Sequence, residues 1–79
     1  MDIVFSRTAL KALRKSGKGA LIMEKIEGLA ADPEAVGANV RKLAGRPESR
    51  LRVQDWRVIF RIEAETLFID DIGPRASIY

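Results

Sequence analysis

Cysteine and histidine are both absent from the sequence. Their absence excludes disulfide bonds and thiol chemistry, and a serine or cysteine triad of the usual type cannot form without histidine. Zinc sites are disfavoured for the same reason, because zinc in proteins is held mainly by these two residues. Asp70 and Asp71 are adjacent carboxylates, but neighbours on a strand point to opposite faces and do not converge on an ion. We expect neither a metal nor a cofactor.

Long apolar runs are also missing. No stretch approaches the roughly 18 consecutive apolar residues of a membrane-spanning helix, and the first residues lack the apolar core of a signal peptide. The 79 residues predict a single domain, 1–79, with a small core. With 47% hydrophobic and 32% charged residues, the composition is typical of soluble globular proteins. We therefore expect a cytoplasmic protein that does not contact a membrane.

Positive charge is concentrated in two segments. Residues 7–18 carry five positive charges and no negative one, and residues 41–61 carry seven positive and two negative charges. Residues 63–71, in contrast, carry four negative charges and no positive one. The net charge of +3 alone fits an ordinary solvated surface. Clustered arginine favours a polyanionic partner, so the placement of the charges is more informative than their sum.

The first half of the chain predicts a strand followed by two helices. Residues 2–5 form a short apolar segment, and Ser6 is a suitable N-cap for a helix over 7–16. A second helix is predicted over 20–31, and Pro33 ends it because the residue before proline avoids helical geometry. The first helix carries a basic stripe of Arg7, Lys11, Arg14 and Lys18.

The second half predicts β-structure. After an irregular connection over 33–47, alternating side chains indicate strands over 50–53 and 56–62, separated by a two-residue turn at Gln54-Asp55. A third strand is predicted over 66–72. The predicted fold is therefore α+β: an N-terminal strand and a two-helix hairpin packed on one face of a small, mainly antiparallel sheet of three to four strands.

The predicted turn sets the register of this hairpin. It places Arg52 directly opposite Arg57, and directly opposed residues point to the same face. One face is then apolar and must carry the helices; it consists of Leu51, Val53, Trp56, Val58, Phe60 and Ile62. The other face collects Arg50, Arg52, Arg57 and Arg61. A slip of one residue would bury these arginines, so the register is well determined. Trp56 and Phe60 accordingly belong to the core rather than to a base-stacking surface.

Opposed like charges destabilise a sheet, by up to about 1 kcal/mol per pair. Charged side chains can protect a strand edge against aggregation, which is one interpretation of the arginine face. The other interpretation is an anion site. Guanidinium groups hold phosphate oxygens through paired hydrogen bonds and keep their charge at any accessible pH.

Four segments of the chain, taken in order, match a known pattern. Residues 50–60 read Arg-Leu-Arg-Val-Gln-Asp-Trp-Arg-Val-Ile-Phe, and residues 71–75 read Asp-Ile-Gly-Pro-Arg, with Tyr79 four residues further on. Residues 5–11 and 29–33 supply the two earlier segments. Together they resemble the RelE/ParE superfamily of bacterial toxins over nearly the whole chain, and the order of elements agrees with the fold predicted above.

The resemblance implies the toxin of a type II toxin–antitoxin system that inhibits translation. RelE-type members are ribosome-dependent endoribonucleases that cleave mRNA in the ribosomal A site. In the reaction, a ribose 2′-oxygen of the mRNA attacks the adjacent phosphate. By this resemblance Arg57 stabilises the transition-state phosphate, Arg75 assists the leaving oxygen, and Tyr79 stacks on or orients the substrate. Arg52 and Arg50 match positions where the best-known members carry lysine. Contacts to RNA are expected at Arg50, Arg61 and Lys42.

Arginine, unlike lysine, does not release its proton. Catalysis in this chain is therefore expected to depend on positioning and charge stabilisation, with Glu48 or Tyr79 as the available proton acceptors. Because Arg57 is predicted on the face away from the core, we expect its removal to cost little stability.

The resemblance also implies partners and leaves alternatives. The expected partners are a cognate antitoxin, which forms a hetero-oligomer with the toxin, and the ribosome with its mRNA. The alternative function is non-catalytic inhibition of DNA gyrase, as in the ParE branch, because one fold can carry both activities. A third interpretation is an inactive relative that only binds a partner. The basic stripe on the first helix is a solvated face or a contact for ribosomal RNA or an acidic antitoxin.

Overall fold

The computed structural model describes residues 1–34 and 39–76. The elements in this part of the chain are β1 (Asp2–Phe5), α1 (Arg7–Lys15), α2 (Gly19–Ala31), β2 (Val40–Lys42), β3 (Ser49–Val53), β4 (Trp56–Glu63) and β5 (Thr66–Pro74). The strands form one sheet in the order β1-β5-β4-β3-β2, in which β1 runs parallel to β5 and the other neighbours are antiparallel. The predicted α+β class and the mainly antiparallel sheet are confirmed.

The sheet contains one strand more than the three to four expected. The additional strand is β2, which lies inside the segment predicted as an irregular connection. It pairs with β3, so that Val40 opposes Leu51 and Arg41 opposes Arg50. A strand of three residues is too short to show a clear alternation in the sequence. Its extended conformation depends on the neighbouring strand rather than on local propensity.

Ser6 fixes the junction between β1 and α1. Its hydroxyl accepts a hydrogen bond from the Ala9 amide at 3.0 Å, which confirms the predicted N-cap. The same hydroxyl donates to the carbonyl of Asp70 at 2.8 Å, and the Ser6 amide donates to the carbonyl of Ile69 at 2.9 Å. One side chain therefore starts the helix and ties it to β5.

Both helices pack on the same face of the sheet, as predicted. The buried apolar side chains of helices and strands form one core that includes Ala9, Leu13, Ile22, Ile26, Leu29, Leu51, Val53, Val58, Phe60, Leu67, Ile69 and Ile72. Trp56 is partly buried against this core, so Trp56 and Phe60 are core side chains. Ile62, which was also expected in the core, is 42% exposed near the end of β4. Neither helix is long and apolar enough to cross a membrane.

The two hairpin turns use residues other than glycine at positive φ. Gln54, in the predicted turn between β3 and β4, has a φ of 53°. Ala64 and Glu65 join Glu63 to Thr66 between β4 and β5, with φ values of 49° and 61°. A two-residue turn with both φ angles positive matches the twist of the strands, but side chains make this region costly. The β4–β5 turn therefore carries backbone strain.

Replacing Ala64 with glycine is expected to raise the free energy of unfolding by about 1 kcal/mol, because glycine has no Cβ to clash at positive φ. Urea denaturation followed by tryptophan fluorescence measures this change. Ala20→Gly, at an exposed position in α2, is the matched control and should lower the same quantity by about 0.5–1 kcal/mol. Destabilisation by both substitutions would contradict the strain at the turn.

Candidate phosphate-binding site

Four arginines share the face of the sheet that lies away from the helices. Arg52 on β3 directly opposes Arg57 on β4, as the hairpin register predicted. On the neighbouring pair of strands, Arg41 directly opposes Arg50. Since residues two apart on β3 share a face, the two arginine pairs lie side by side across three strands. We call these four residues the arginine face.

Arg57 is the central and most buried member of the arginine face. Arg57 is only 5% exposed, although it lies on the face of the sheet opposite the core. The Nη1 atom donates to the carbonyl of Gln54 at 2.8 Å and to the carbonyl of Trp56 at 2.9 Å. The side chain thus turns back onto its own hairpin. These contacts argue against the expectation that Arg57 can be removed at little cost, since removal takes a charged donor away from two carbonyls.

The remaining donors of Arg57 define the direction in which it can bind. A guanidinium group has five N–H donors, of which Nη1 supplies two. Neither Nε nor Nη2 makes a hydrogen bond to the part of the chain that the structure describes, and neither is buried there without a partner. The Nε–Nη2 edge is suited to two oxygens of one phosphate or carboxylate. The hairpin therefore holds a guanidinium with one edge free for an anion.

The surroundings of Arg57 also favour an anion. Burial is the main cause that lowers the pKa of Arg57, followed by the positive charges of Arg52, Arg50 and Arg75, while Asp55 raises it. Each of the lowering effects penalises the charged guanidinium, which nevertheless stays protonated in proteins. A bound anion compensates for the desolvation and reduces the mutual repulsion.

Arg75 reaches the same end of the sheet through its backbone. Its amide donates to the carbonyl of Asp55 at 2.7 Å, which attaches the residue after β5 to the β3–β4 turn. The charge of Arg75 acts on Arg57. Three of the four predicted catalytic residues, Arg52, Arg57 and Arg75, are thus brought together around this turn. The fourth, Tyr79, lies outside the described residues.

A small pocket continues the arginine face towards β2. It has a volume of about 120 Å³, and the described residues that line it are Asn39, Arg41, Arg50 and Arg52. Asn39 and Arg41 were not among the predicted site residues, because the segment that contains them was expected to be irregular. One apolar residue, Val40, between the polar Asn39 and Arg41 was the available signal, and it is too short to indicate a strand.

The structure does not bring two other predicted RNA contacts to the arginine face. Lys42 opposes Ser49, which in turn opposes the core residue Phe60, so Lys42 and Arg41 point to opposite sides of the sheet. Arg61 lies on the arginine side but is engaged: its Nη1 is 2.8 Å from Glu63 and its Nε is 3.1 Å from Asp70. These carboxylates neutralise its charge locally.

Further contacts hold Arg61 in place. Its guanidinium lies 4.3 Å from the centre of the Phe68 ring. The hydrogen bond that Arg61 donates to Glu63 is the main cause that raises the pKa of Arg61, and the charge of Asp70 acts in the same direction. Glu48, a predicted proton acceptor, is engaged as well, since its Oε1 lies 3.3 Å from Nε of Arg46. In residues 1–34 and 39–76, no group of three or more acidic side chains could hold a metal ion.

Residues 3–79 match the family described as the ParE toxin of the type II toxin–antitoxin system parDE. The chain belongs to this toxin family. No curated protein matches its sequence.

The fold of this ParE-family chain is shared with solved toxin–antitoxin structures. The archaeal RelE–RelB complex from Pyrococcus horikoshii contains a similar chain, with a TM-score of 0.77, 23% identity and 96% of each chain covered. The RelBE complex of Escherichia coli gives a TM-score of 0.70 at 25% identity, covering 92% of this chain and 94% of that one. The RelBE2 complex from Mycobacterium tuberculosis gives a TM-score of 0.75 at 23% identity, covering 94% of this chain and 96% of that one. The predicted RelE/ParE superfamily is confirmed.

Arg57→Ala is expected to lower the free energy of unfolding by about 1–3 kcal/mol, because two carbonyls lose a charged donor. Arg52→Ala serves as the comparison: Arg52 is exposed, and its removal relieves repulsion, so the change should lie within about 1 kcal/mol of zero or be stabilising. Urea denaturation of both variants measures the difference. An Arg57→Ala protein as stable as wild type would show that the two hydrogen bonds contribute little.

Proposed function

We propose that this toxin is a ribosome-dependent endoribonuclease that cleaves mRNA in the ribosomal A site and thereby inhibits translation. The observation that carries the proposal is Arg57, whose guanidinium is fixed by two carbonyls while its Nε–Nη2 edge remains available. Transition-state stabilisation requires donors that are already oriented before charge develops. Arg57 has this property.

The proposed reaction is attack of a ribose 2′-oxygen on the adjacent phosphate, with departure of the 5′-oxygen of the next nucleotide. Arg57 binds two phosphate oxygens and stabilises the negative charge that builds up on the pentavalent phosphorus. Arg52, directly opposite, adds a second positive charge. Arg75, whose amide is held at the same turn by the Asp55 carbonyl, is proposed to stabilise the leaving oxygen. The assignment of Tyr79 to substrate orientation stays a prediction.

Proton transfer is the weak part of this chemistry. The chain has no histidine, and arginine does not give up its proton near neutral pH. The rate must therefore come from alignment of the 2′-oxygen and from charge stabilisation rather than from an efficient general base. Slow turnover is compatible with toxicity, since each cleavage destroys a message.

The second candidate function is inhibition of DNA gyrase without catalysis. It is favoured by the family match, which names ParE toxins. The solved structures with the same fold include RelE, YoeB and YafQ toxins, so the fold alone does not separate the two functions. The oriented edge of Arg57 favours the nuclease, because an inhibitor that only binds has no need of a group aligned with a reacting phosphate.

A cognate antitoxin is the proposed protein partner. The similar solved structures include complexes of toxin and antitoxin. An acidic segment is suited to the arginine face, and disordered segments that fold on binding can cover a large surface. A toxin–antitoxin hetero-oligomer is the assembly expected from this arrangement.

Expression of the chain alone is expected to arrest growth, and co-expression of a small acidic protein encoded beside it is expected to restore growth. Binding of the two purified proteins gives the complex directly. An unrelated acidic protein of similar size is the control for simple charge neutralisation. Normal growth with the chain alone, at a verified expression level, would contradict its toxicity.

Arg57→Ala is expected to reduce mRNA cleavage roughly 10²–10³-fold, the scale for loss of one preorganised charge-stabilising group. Arg57→Lys should recover only part of the rate, because it keeps the charge but loses the two-donor edge. Primer extension on mRNA in a translating extract measures the cleavage, with each variant compared at equal folded concentration. Lys25→Ala, an exposed charge removal on α2, is the control and should cleave like wild type.

The same experiment separates the two candidate functions. Cleavage at A-site codons that weakens from wild type to Arg57→Lys to Arg57→Ala supports the nuclease. Intact mRNA in the extract, together with loss of supercoiling by purified gyrase, establishes the inhibitor instead.

A further inference from the structure

The arginine face contains more positive charge than one phosphate requires. Arg52 opposes Arg57, and Arg41 opposes Arg50, so two like-charged pairs lie next to each other on three strands. Like charges directly opposite destabilise a sheet. Within residues 1–34 and 39–76, neither Arg41 nor Arg52 forms an ion pair with an acidic side chain. Both side chains are exposed, so an anion of another molecule can supply the countercharge.

The pocket beside Arg52 offers a place for that countercharge. The described residues that line it are all polar, and three of the four are arginines. Asn39 adds an amide that can donate to a phosphate oxygen or bond a ribose hydroxyl. Arg41 and Asn39 sit at the β2 side of the pocket, whereas Arg57 lies two strands away on β4. The pocket therefore extends from Arg52, directly opposite Arg57, towards β2.

We propose that Asn39 and Arg41, together with Arg52, which lies between this pocket and Arg57, form a second phosphate subsite, which binds the phosphate of the nucleotide adjacent to the one that Arg57 contacts in single-stranded RNA. The proposal rests on the endoribonuclease function proposed above and names how its substrate is held.

The spacing of the strands supports a nucleic-acid strand as the occupant. Neighbouring strands are about 4.8 Å apart, so β2 and β4 lie about 10 Å apart across β3. Arginine side chains are long enough to reach successive phosphates of one extended chain from these positions. An acidic peptide helix would need apolar anchors as well, and the described pocket lining has none.

Arg41 and Arg57 are expected to contribute differently to the reaction. Arg57 is buried and oriented, and acts on the phosphate whose charge changes during the reaction. Arg41 is exposed and contacts a phosphate whose charge stays constant. An interaction that is equal in ground state and transition state strengthens binding without raising kcat. Arg41 is thus a binding residue, and its loss should appear in KM.

The test uses a short single-stranded RNA with a 2′-deoxy sugar at the cleavage position, so that binding is measured without the reaction. Fluorescence anisotropy gives its affinity for wild type, Arg41→Ala, Arg41→Lys and Asn39→Ala over a range of salt concentrations. Arg41→Ala should bind roughly three- to tenfold more weakly, and its slope of log K against log salt should be smaller by about 0.7, the value for one lost phosphate contact on a single strand. Arg41→Lys should retain the salt slope.

Cleavage measurements complete the design. In the translating extract, Arg41→Ala should raise KM and leave kcat unchanged, whereas Arg57→Lys should lower kcat. Lys25→Ala removes one charge from the other side of the molecule and should match wild type in affinity and in salt slope.

Three outcomes overturn the subsite. An Arg41→Ala protein that binds the RNA like Lys25→Ala refutes it, even if Arg57 proves catalytic. A loss of antitoxin binding with unchanged RNA binding would assign the pocket to an acidic peptide. A drop in kcat with unchanged KM would make Arg41 part of the catalytic machinery. If wild type binds the RNA through Arg41 but leaves mRNA intact, the proposed cleavage fails and the subsite stands.

Discussion

The opposition of Arg52 and Arg57 across the β3–β4 hairpin is the constraint on which the rest of the site depends. It is unfavourable in itself, by up to about 1 kcal/mol for like charges in direct opposition. The opposite face of the same hairpin buries Leu51, Val53 and Val58, and each such side chain contributes about 1.5–3 kcal/mol. A shift of one residue would exchange the two faces and lose this burial. Packing of the core therefore forces the arginines together.

Arg57 combines a structural contact with a proposed role in binding phosphate. Its hydrogen bonds to Gln54 and Trp56 close the turn of the hairpin and at the same time fix the orientation of its free edge. Arg61 shows the contrasting arrangement on the same side of the sheet, where Glu63 and Asp70 satisfy the charge. Arg57 and Arg61, both on β4, thus differ in their partners. Backbone carbonyls hold Arg57, whereas carboxylates hold Arg61. Neither the family match nor the RelE-like fold reveals this difference, because it depends on the contacts of individual side chains.

Much of the fold could be predicted from the sequence because its signals are local. Ser6 begins α1, and the alternation along β3 and β4 sets the register that opposes Arg52 and Arg57. Proximity of Arg75 to this turn was implied only by the family resemblance. What could not be predicted depends on contacts between distant segments. β2 is defined by its pairing with β3, and without it the sequence does not show that Arg41 joins the site.

The side-chain contacts of Arg57 and Arg61 could not be predicted from the sequence either. Burial of Arg57 results from a side chain that folds back on the Gln54 carbonyl, which no periodicity indicates. Pairing of Arg61 with Asp70 involves a bulge: Ile59 opposes Asp71 and Phe60 opposes Ile69, which leaves Asp70 as the extra residue. Alternation alone gives no sign of such an insertion.

The parallel pairing of β1 with β5 has a consequence for biosynthesis. Residues 2–5 are translated long before their partner strand, which begins at Thr66. The carbonyl of Asp70 that Ser6 contacts is equally late. Contacts between such distant segments form slowly and only after both have been made. Until β5 has been synthesised, a nascent chain therefore has neither the β1–β5 pairing nor the backbone hydrogen bond that attaches Arg75 to the β3–β4 turn.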